Sequence, residues 1–378
     1  MRIAFYTDTY LPNMDGVVSA IVNFRRELEK RGHEVFVFTS GTAKAKRENK
    51  DPNVFYSLSM PFRPYPQYKI ALFPFLSERR VKKLDIDIIH SHGMATMGLA
   101  ADRAAHALKI PYVATLHTLI PHATHYVANI NALKKFMEGA AWSYLKFYYN
   151  RCDTPLAPSV IVKEMMEEHG IRGAKILPNG IDIARLRPGA GEGEVRDWWG
   201  LSGKKIVLHF GRLVLEKNIE LLINSALMII EEEPDAHFLI VGTGPAASHY
   251  KELAKKKGVS KYFTFTGFVE DRFVPNYYAC ADVSVVPSKF ETQGLVTLEA
   301  MACGKPVAGA NYLATKEIVR DGYNGYLFDP DDPEDCAEKV LRAMNEKGAL
   351  AKGARETAGS YSIEKCTDRL LSLYEEMV

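Results

Sequence analysis

Long apolar runs are missing from this sequence. No stretch approaches the roughly 20 residues that a membrane-spanning helix needs, so a helical span is excluded. Cysteine is sparse: Cys152, Cys280, Cys303, Cys336 and Cys366 are scattered, odd in number and without a CxxC pair. A disulfide framework or zinc knuckle does not fit that spacing, whereas buried reduced thiols do. Net charge is nearly absent at +2, yet 47% of the 378 residues are hydrophobic and 25% charged, which excludes an intrinsically disordered chain. Asp8 falls where a signal peptide would carry its apolar stretch, so a cytoplasmic protein is expected. Nothing resembles a nucleic-acid recognition motif, and no nucleic-acid partner is expected.

The small net charge conceals an asymmetry. Residues 1–180 hold 24 Lys and Arg against 16 Asp and Glu, a balance of +8. Residues 181–378 hold 24 against 30, a balance of −6. Opposite signs fit two domains with different partners, and a basic first half suits phosphates or an anionic membrane surface. The length agrees, since it exceeds the size at which single cores stop growing.

Hydrophobic periodicity gives the architecture. Arg2–Thr7 is predicted as a buried strand, followed by a turn-rich loop with Pro12, Asn13, Asp15 and Gly16. A helix over Val17–Arg31 is stopped by Gly32, and Glu34–Thr39 is the next strand. Strand, helix, strand at this spacing is a βαβ unit of a parallel sheet. The pattern recurs in Asp87–His90, a helix over 94–108 and Tyr112–Leu116. It restarts with strand Lys205–Phe210, helix Asn218–Glu232, strand His237–Val241, helix Pro245–Lys257 and strand Tyr262–Thr266. Strands Val283–Pro287 and Pro306–Gly309 follow, with a helix over Thr292–Ala302 between them. The expected fold class is α/β, with two Rossmann-like doubly wound domains, 1–180 and 181–361, facing across a cleft. They join within Pro178–Gly203, which is rich in Gly, Pro and charge.

The most informative segment runs from Pro287 to Pro306. A strand end leads into a loop with Glu291, and Gly294 stands where a helix begins. Free amides at Gln293, Gly294, Leu295 and Val296, together with the helix dipole, form a phosphate site. Glu299 follows one to two turns on, so two carboxylates flank that site and each can grip hydroxyl groups. The second feature is Gly211–Asn218, directly after a strand, where doubly wound sheets bind ligands. Arg212 and Lys217 on this loop suit a diphosphate, Arg as a fork and Lys as a point charge. Gly242 and Gly244 form a third strand-to-helix turn, which is not a GxGxxG fingerprint. Singly, each charge reads as a solvated loop residue; together, at the strand ends of one sheet, they point to a nucleotide.

The spacing of Glu291 and Glu299 resembles the paired-glutamate signature of retaining glycosyltransferases of family 4, which have the GT-B fold. Gly211-Arg212, Glu216-Lys217, Gly242–Pro245 and Pro178–Asp182 are similar to the same family over almost the whole chain. The resemblance implies that Arg212 and Lys217 hold the diphosphate of a UDP-sugar or GDP-sugar donor. It also implies that Glu291 meets the donor sugar, Glu299 the ribose, and backbone near Gly294 and Leu295 the distal phosphate and sugar. Gly16 occupies a loop where the family often has two glycines and this chain has Asp15-Gly16. His117, after the strand ending in Thr115 and Leu116, is placed near the transferring sugar; His90 and His92 are expected to shape the neighbouring loop. The family implies no metal and no cofactor, and lets the leaving phosphate take the acceptor proton. Asp85-Ile-Asp87 has DxD spacing but precedes a strand, which makes it structural, and Asp329, Asp331 and Asp332 read as a solvated loop. The tail 362–378 is helical in pattern, and in this family it packs back on the first domain.

Thr118–Tyr126, Trp142–Tyr149 and Thr7–Ile21 are similar to enzymes that glycosylate diacylglycerol-type lipids. Within Ala132–Arg151, the basic Lys134, Lys135, Lys146 and Arg151 alternate with Phe136, Trp142, Phe147 and Tyr148. Such a helix either lies on an anionic membrane, peripheral to the inner face, or turns its aromatics into the domain core. Arg79, Arg80, Lys82 and Lys83 are expected on a solvated helix face. Rival readings are a transferase with a soluble acceptor, a sugar-nucleotide epimerase of the same fold and an inactive nucleotide-sugar sensor. A phosphorylase lacks its pyridoxal-phosphate lysine motif here.

Overall fold

A computed structural model describes all residues except 14, 63–64, 73 and 120–130, with no side chains for 61–69, 131–134 and 192. The chain divides into two compact units, Met1–Gly180 with Ile363–Val378, and Ile181–Ser362.

In the first unit, β1 (Arg2–Thr7), α1 (Gly16–Lys30), β2 (Glu34–Gly41), α2 (Ala43–Glu48), β3 (Val54–Phe62) and β4 (Tyr65–Ala71) come first. Then follow α3 (Ser77–Lys83), β5 (Ile88–Ser91), α4 (Thr96–Leu108), β6 (Tyr112–Thr115) and α5 (Asn131–Tyr149). β7 (Thr154–Ala157), α6 (Val160–Glu168) and β8 (Lys175–Ile176) complete the sheet, whose order is β4-β3-β2-β1-β5-β6-β7-β8. Among the described residues of this sheet, only β3 and β4 pair antiparallel. The inner strands are apolar on both faces because helices cover both sides of a parallel sheet. Side-chain oxygens start the helices: Asp15 accepts from the Val18 amide and Ser159 from the Val162 amide.

The second unit contains α7 (Glu192–Trp199), β9 (Lys205–Phe210), α8 (Ile219–Glu232), β10 (Ala236–Val241), α9 (Ala247–Lys256) and β11 (Phe263–Gly267). It continues with α10 (Val274–Cys280), β12 (Val283–Val286), α11 (Leu295–Ala302), β13 (Val307–Ala310), α12 (Thr315–Ile318) and β14 (Gly325–Phe328). α13 (Pro333–Asn345) and α14 (Lys347–Ser360) close it, and α15 (Ile363–Glu375) belongs to the first unit. The sheet is parallel, in the order β11-β10-β9-β12-β13-β14. One core, around Ile219, Leu222, Phe238 and Val340, fills one face; another, around Leu208, Leu239, Leu298 and Met301, fills the other.

One detail departs from expectation. α11 starts at Leu295, three residues later than predicted, because Gly294 has φ +75, which a helix cannot use. α15 packs on α1: Leu370 and Tyr374 join Val18, Ile21 and Phe24 in one core, and Arg31 bonds Asp368.

Candidate functional site

Each sheet reverses its strand order once. β1 pairs with both β2 and β5, and β9 with both β10 and β12. Ligands of open α/β sheets bind beyond the carboxyl ends of the strands at such a switch point. The loops after β9 and β12 are Gly211–Asn218 and Pro287–Gly294, the two segments the sequence singles out.

In the second unit these loops are tied together. The Lys289 amide donates to the Glu216 carbonyl at 3.1 Å, and the Ser288 hydroxyl to the same oxygen at 3.3 Å. Lys217 Nζ then meets Glu291 Oε1 at 2.5 Å, both side chains mostly buried. Arg212 is exposed, with no side-chain partner recorded among the described residues. The Thr297 amide makes the first helical bond of α11, to the Gly294 carbonyl, so the Leu295 and Val296 amides precede the intrahelical ladder. Gln293 and Gly294 are buried beneath this start, and Thr297 Oγ1 is buried without a partner.

Gly242 and Gly244 have a packing reason of their own. A Cβ on Gly242 would lie 1.9 Å from the Gly211 carbonyl oxygen, and one on Gly244 2.2 Å from that of Leu213. Only glycine lets this turn press against the Gly211 loop. Glu299 is half-buried on α11 and accepts from the Tyr278 hydroxyl at 2.7 Å. Burial pushes its carboxyl up to about 7, against the lowering effect of that hydrogen bond. Tyr278, stacked on Phe210 with centroids 4.8 Å apart, escaped the sequence reading because only the packing of α10 on α11 brings it to Glu299.

The first unit is built differently. Asp8, buried beyond β1, accepts from the amides of Ala95 and Met97, each at 2.9 Å, and so pins the start of α4. Gly16 is exposed at the first position of α1, and Asp15, where the family pattern has a glycine, is the helix cap. His117 is buried after β6, with Nε2 3.0 Å from Nδ1 of His92. Burial lowers its ring to about 4. His90 bonds the Tyr374 hydroxyl at 2.6 Å and the Thr115 hydroxyl at 2.7 Å. The partnership of His92 with His117 is more specific than the loop-shaping role expected of it.

α5 splits its aromatics. Trp142 and Tyr148 are buried, Trp142 stacked on His169 at 3.7 Å, while Phe136 and Phe147 are exposed beside Lys135 and Lys146. The Lys134 side chain and most of Thr118–Tyr126 lie outside the described residues. Arg80 lies over the Phe55 ring at 4.4 Å. Asp87 accepts from the Arg2 amide, and Asp332 caps α13. Among the described residues no three His, Cys, Asp or Glu side chains gather as a metal site, and no helix is long and apolar enough to cross a membrane.

Comparison with known proteins gives two family matches: "Glycosyltransferase Family 4" over residues 14–185 and "Glycosyl transferases group 1" over 194–362. Alpha-monoglucosyldiacylglycerol synthase of Acholeplasma laidlawii is 30% identical over 395 residues, spanning 100% of this chain and 98% of that protein. A GDP-mannose-dependent alpha-mannosyltransferase of Corynebacterium glutamicum is 29% identical, spanning 100% of this chain and 89% of its own. The crystal structure of Anabaena Alr3699/HepE in complex with UDP is similar in fold, with TM-score 0.81, 20% identity and 100% coverage of both chains.

Proposed function

Because this chain belongs to glycosyltransferase family 4, with a group 1 domain in its second half and the GT-B architecture, we propose a retaining sugar transfer from a nucleotide-diphosphate sugar to a membrane glycerolipid hydroxyl. The observation that carries this reading is the convergence of Lys217, Glu291, Arg212 and the start of α11 on one switch point. Departure of the diphosphate is the hard step. Lys217 and the amides of Leu295 and Val296 are held in place before it happens, so, joined by the exposed Arg212, they stabilise the growing negative charge with little reorganisation. These cations do the work a divalent metal would otherwise do. Glu291 receives hydroxyls of the donor sugar, and Glu299 those of the ribose. In the first unit His117 lies by the transferring sugar, and the leaving phosphate takes the acceptor proton.

A UDP-sugar is the favoured donor and a GDP-sugar the alternative. The lipid acceptor is supported by the name of the Acholeplasma relative, by the +8 balance of residues 1–180, and by the exposed face of α5. There Phe136 and Phe147 can enter a bilayer surface while Lys135 and Lys146 meet anionic headgroups.

Nucleotide release across UDP-, GDP- and ADP-sugars, with and without diacylglycerol or soluble acceptors, tests the reading. Release only with the lipid is the expected result. Release only with a soluble acceptor keeps the transferase and returns α5 to a structural role. Donor conversion without any acceptor indicates an epimerase, and binding without conversion a sensor.

A further inference from the structure

Three histidine rings form a file in the first unit. His90 lies against His92 with centroids 4.0 Å apart, and His92 against His117 at 5.3 Å and an interplanar angle of 23°. The edge of Phe5 closes on His92 at 4.7 Å. All three histidines are buried. Their inner end is anchored by Tyr374 of α15 and Thr115 of β6, through hydroxyls that rotate to serve either tautomer of His90.

His92 has no such latitude. Its Nδ1 meets His117 Nε2 at 3.0 Å, and its own Nε2 is buried without a partner. Two neutral imidazoles joined nitrogen to nitrogen share one proton, so one ring donates and the other accepts. If His117 donated, the proton of His92 would sit on Nε2 as a buried N–H with no acceptor, an arrangement that proteins rarely tolerate. If His92 donates from Nδ1, Nε2 is left as a bare lone pair in apolar surroundings.

We infer that His92 is a positioning residue for His117: its Nδ1–H donates to His117 Nε2 and fixes His117 as the neutral tautomer protonated at Nδ1. This rests on the glycosyltransferase reading for its functional meaning and goes beyond it. His117 Nε2 is occupied as an acceptor, so that atom takes no proton from an acceptor hydroxyl, and proton removal falls to another group such as the leaving phosphate. Burial keeps all three rings neutral, with His117 lowered to about 4 and His90 and His92 well below their usual value. Among the described residues, the titratable groups on the packed elements include Tyr6 on β1 and Asp8 beyond it, Tyr112 on β6, Cys366 and Tyr374 on α15, and Tyr144, Tyr148 and Tyr149 on α5. Tyr148 bonds the Ser91 hydroxyl and Tyr149 the Thr115 carbonyl.

The test is imidazole 15N NMR on the full chain, with His117 assigned by its absence in His117→Asn. The expected spectrum shows His117 protonated at Nδ1 and unchanged between pH 8 and pH 6. His92→Leu should remove the donor to Nε2 and shift its 15N signal, while burial still keeps the ring unprotonated across that range. His92→Asn should restore the wild-type signature, because its amide carries an N–H close to where Nδ1–H stood. In turnover, His92→Leu should lower kcat about tenfold, the scale of one lost buried hydrogen bond. His92→Asn should restore kcat to near wild type, a rescue that a purely packing role for His92 would not give. Wild-type His117 protonated at Nε2, or a His117 signal that His92→Leu leaves unmoved, overturns the inference. The spectrum needs no substrate, so a failed transferase assay would count against the proposed function and leave the tautomer result standing.

Discussion

The two units solve the same topological problem with opposite electrostatics. At the switch point of the second, Lys217, Glu291 and Arg212 put charge at the ends of β9 and β12, in reach of solvent. At that of the first, His90, His92 and His117 are buried as neutral rings, with Asp8 held by two amides. The sheet decides where a ligand binds, and the side chains at the strand ends decide what kind. Charge held in a 2.5 Å pair suits a ligand that brings its own charge, as a nucleotide diphosphate does. Buried neutral rings suit a ligand whose recognition rests on hydroxyl groups, as that of a sugar does.

The largest effect is expected from the charged unit. Glu291→Ala should lower turnover by at least on the order of a hundredfold, since a preorganised contact to the reacting sugar is lost, while the thermal midpoint falls because Lys217 loses its partner but the chain stays folded by circular dichroism. Near-normal turnover would remove Glu291 from the donor sugar and break the contrast at its strongest point. Lys217→Ala comes next. Nucleotide diphosphate affinity measured by calorimetry should fall roughly ten- to hundredfold, as for a charge-assisted hydrogen bond of ~1.5–3 kcal/mol. Unchanged affinity would displace Lys217 from the diphosphate.

The charged site was more legible in the sequence than the neutral one, for a physical reason. Arg212, Lys217, Glu291 and Glu299 stand on two short segments, each a strand end followed by a helix, so local pattern places them at one edge of one sheet. The pairing of His92 with His117 spans 25 residues and depends on β5 and β6 being neighbours. Tyr278 at Glu299 depends on helix packing, and the contact of Gly242 with Gly211 on two loops approaching within a glycine's width. Much of the strand and helix alternation was readable in the same local way, whereas β3, β4, β7, β8 and β14, which are short or lie toward the sheet edges, were not read from the sequence.

Acid should separate the units next. The folded first unit keeps His90, His92 and His117 unprotonated below their ordinary value of 6.5, whereas the unfolded chain protonates them there. The unfolded state therefore binds more protons, and stability falls as pH drops from 6.5 toward the value of about 4 reached by His117. Asp8, raised by burial, acts in the opposite direction. In the second unit His209, lowered to about 4, acts like the three rings. Glu299 acts oppositely, since its folded form holds a proton between 4.5 and about 7 and gains stability as pH falls. Hydrogen exchange corrected for intrinsic rates should show opening of β1, β5 and β6 rising about tenfold more than that of β9 and β12 between pH 7 and pH 5. An equal response would show that the buried rings do not set the acid stability of their unit.

Glu299 is the point where the charged unit borrows the logic of the neutral one, and it carries the smallest expected effect. Its carboxyl, pushed up to about 7 by burial, is divided between acid and carboxylate at neutral pH. A ribose offers hydroxyl donors, which the carboxylate accepts with both oxygens and the acid with fewer lone pairs. Affinity for a nucleoside diphosphate should therefore rise with pH between 6 and 8 by a few-fold, staying under about tenfold because only one group changes state. The phosphates of the ligand also titrate in this range, but they do so equally for wild type and for Glu299→Gln. The difference between the two slopes isolates the carboxyl. A flattened slope in Glu299→Gln places the ribose at Glu299. Parallel slopes place the ribose elsewhere, and leave the Tyr278–Glu299 pair as a structural contact within α10 and α11.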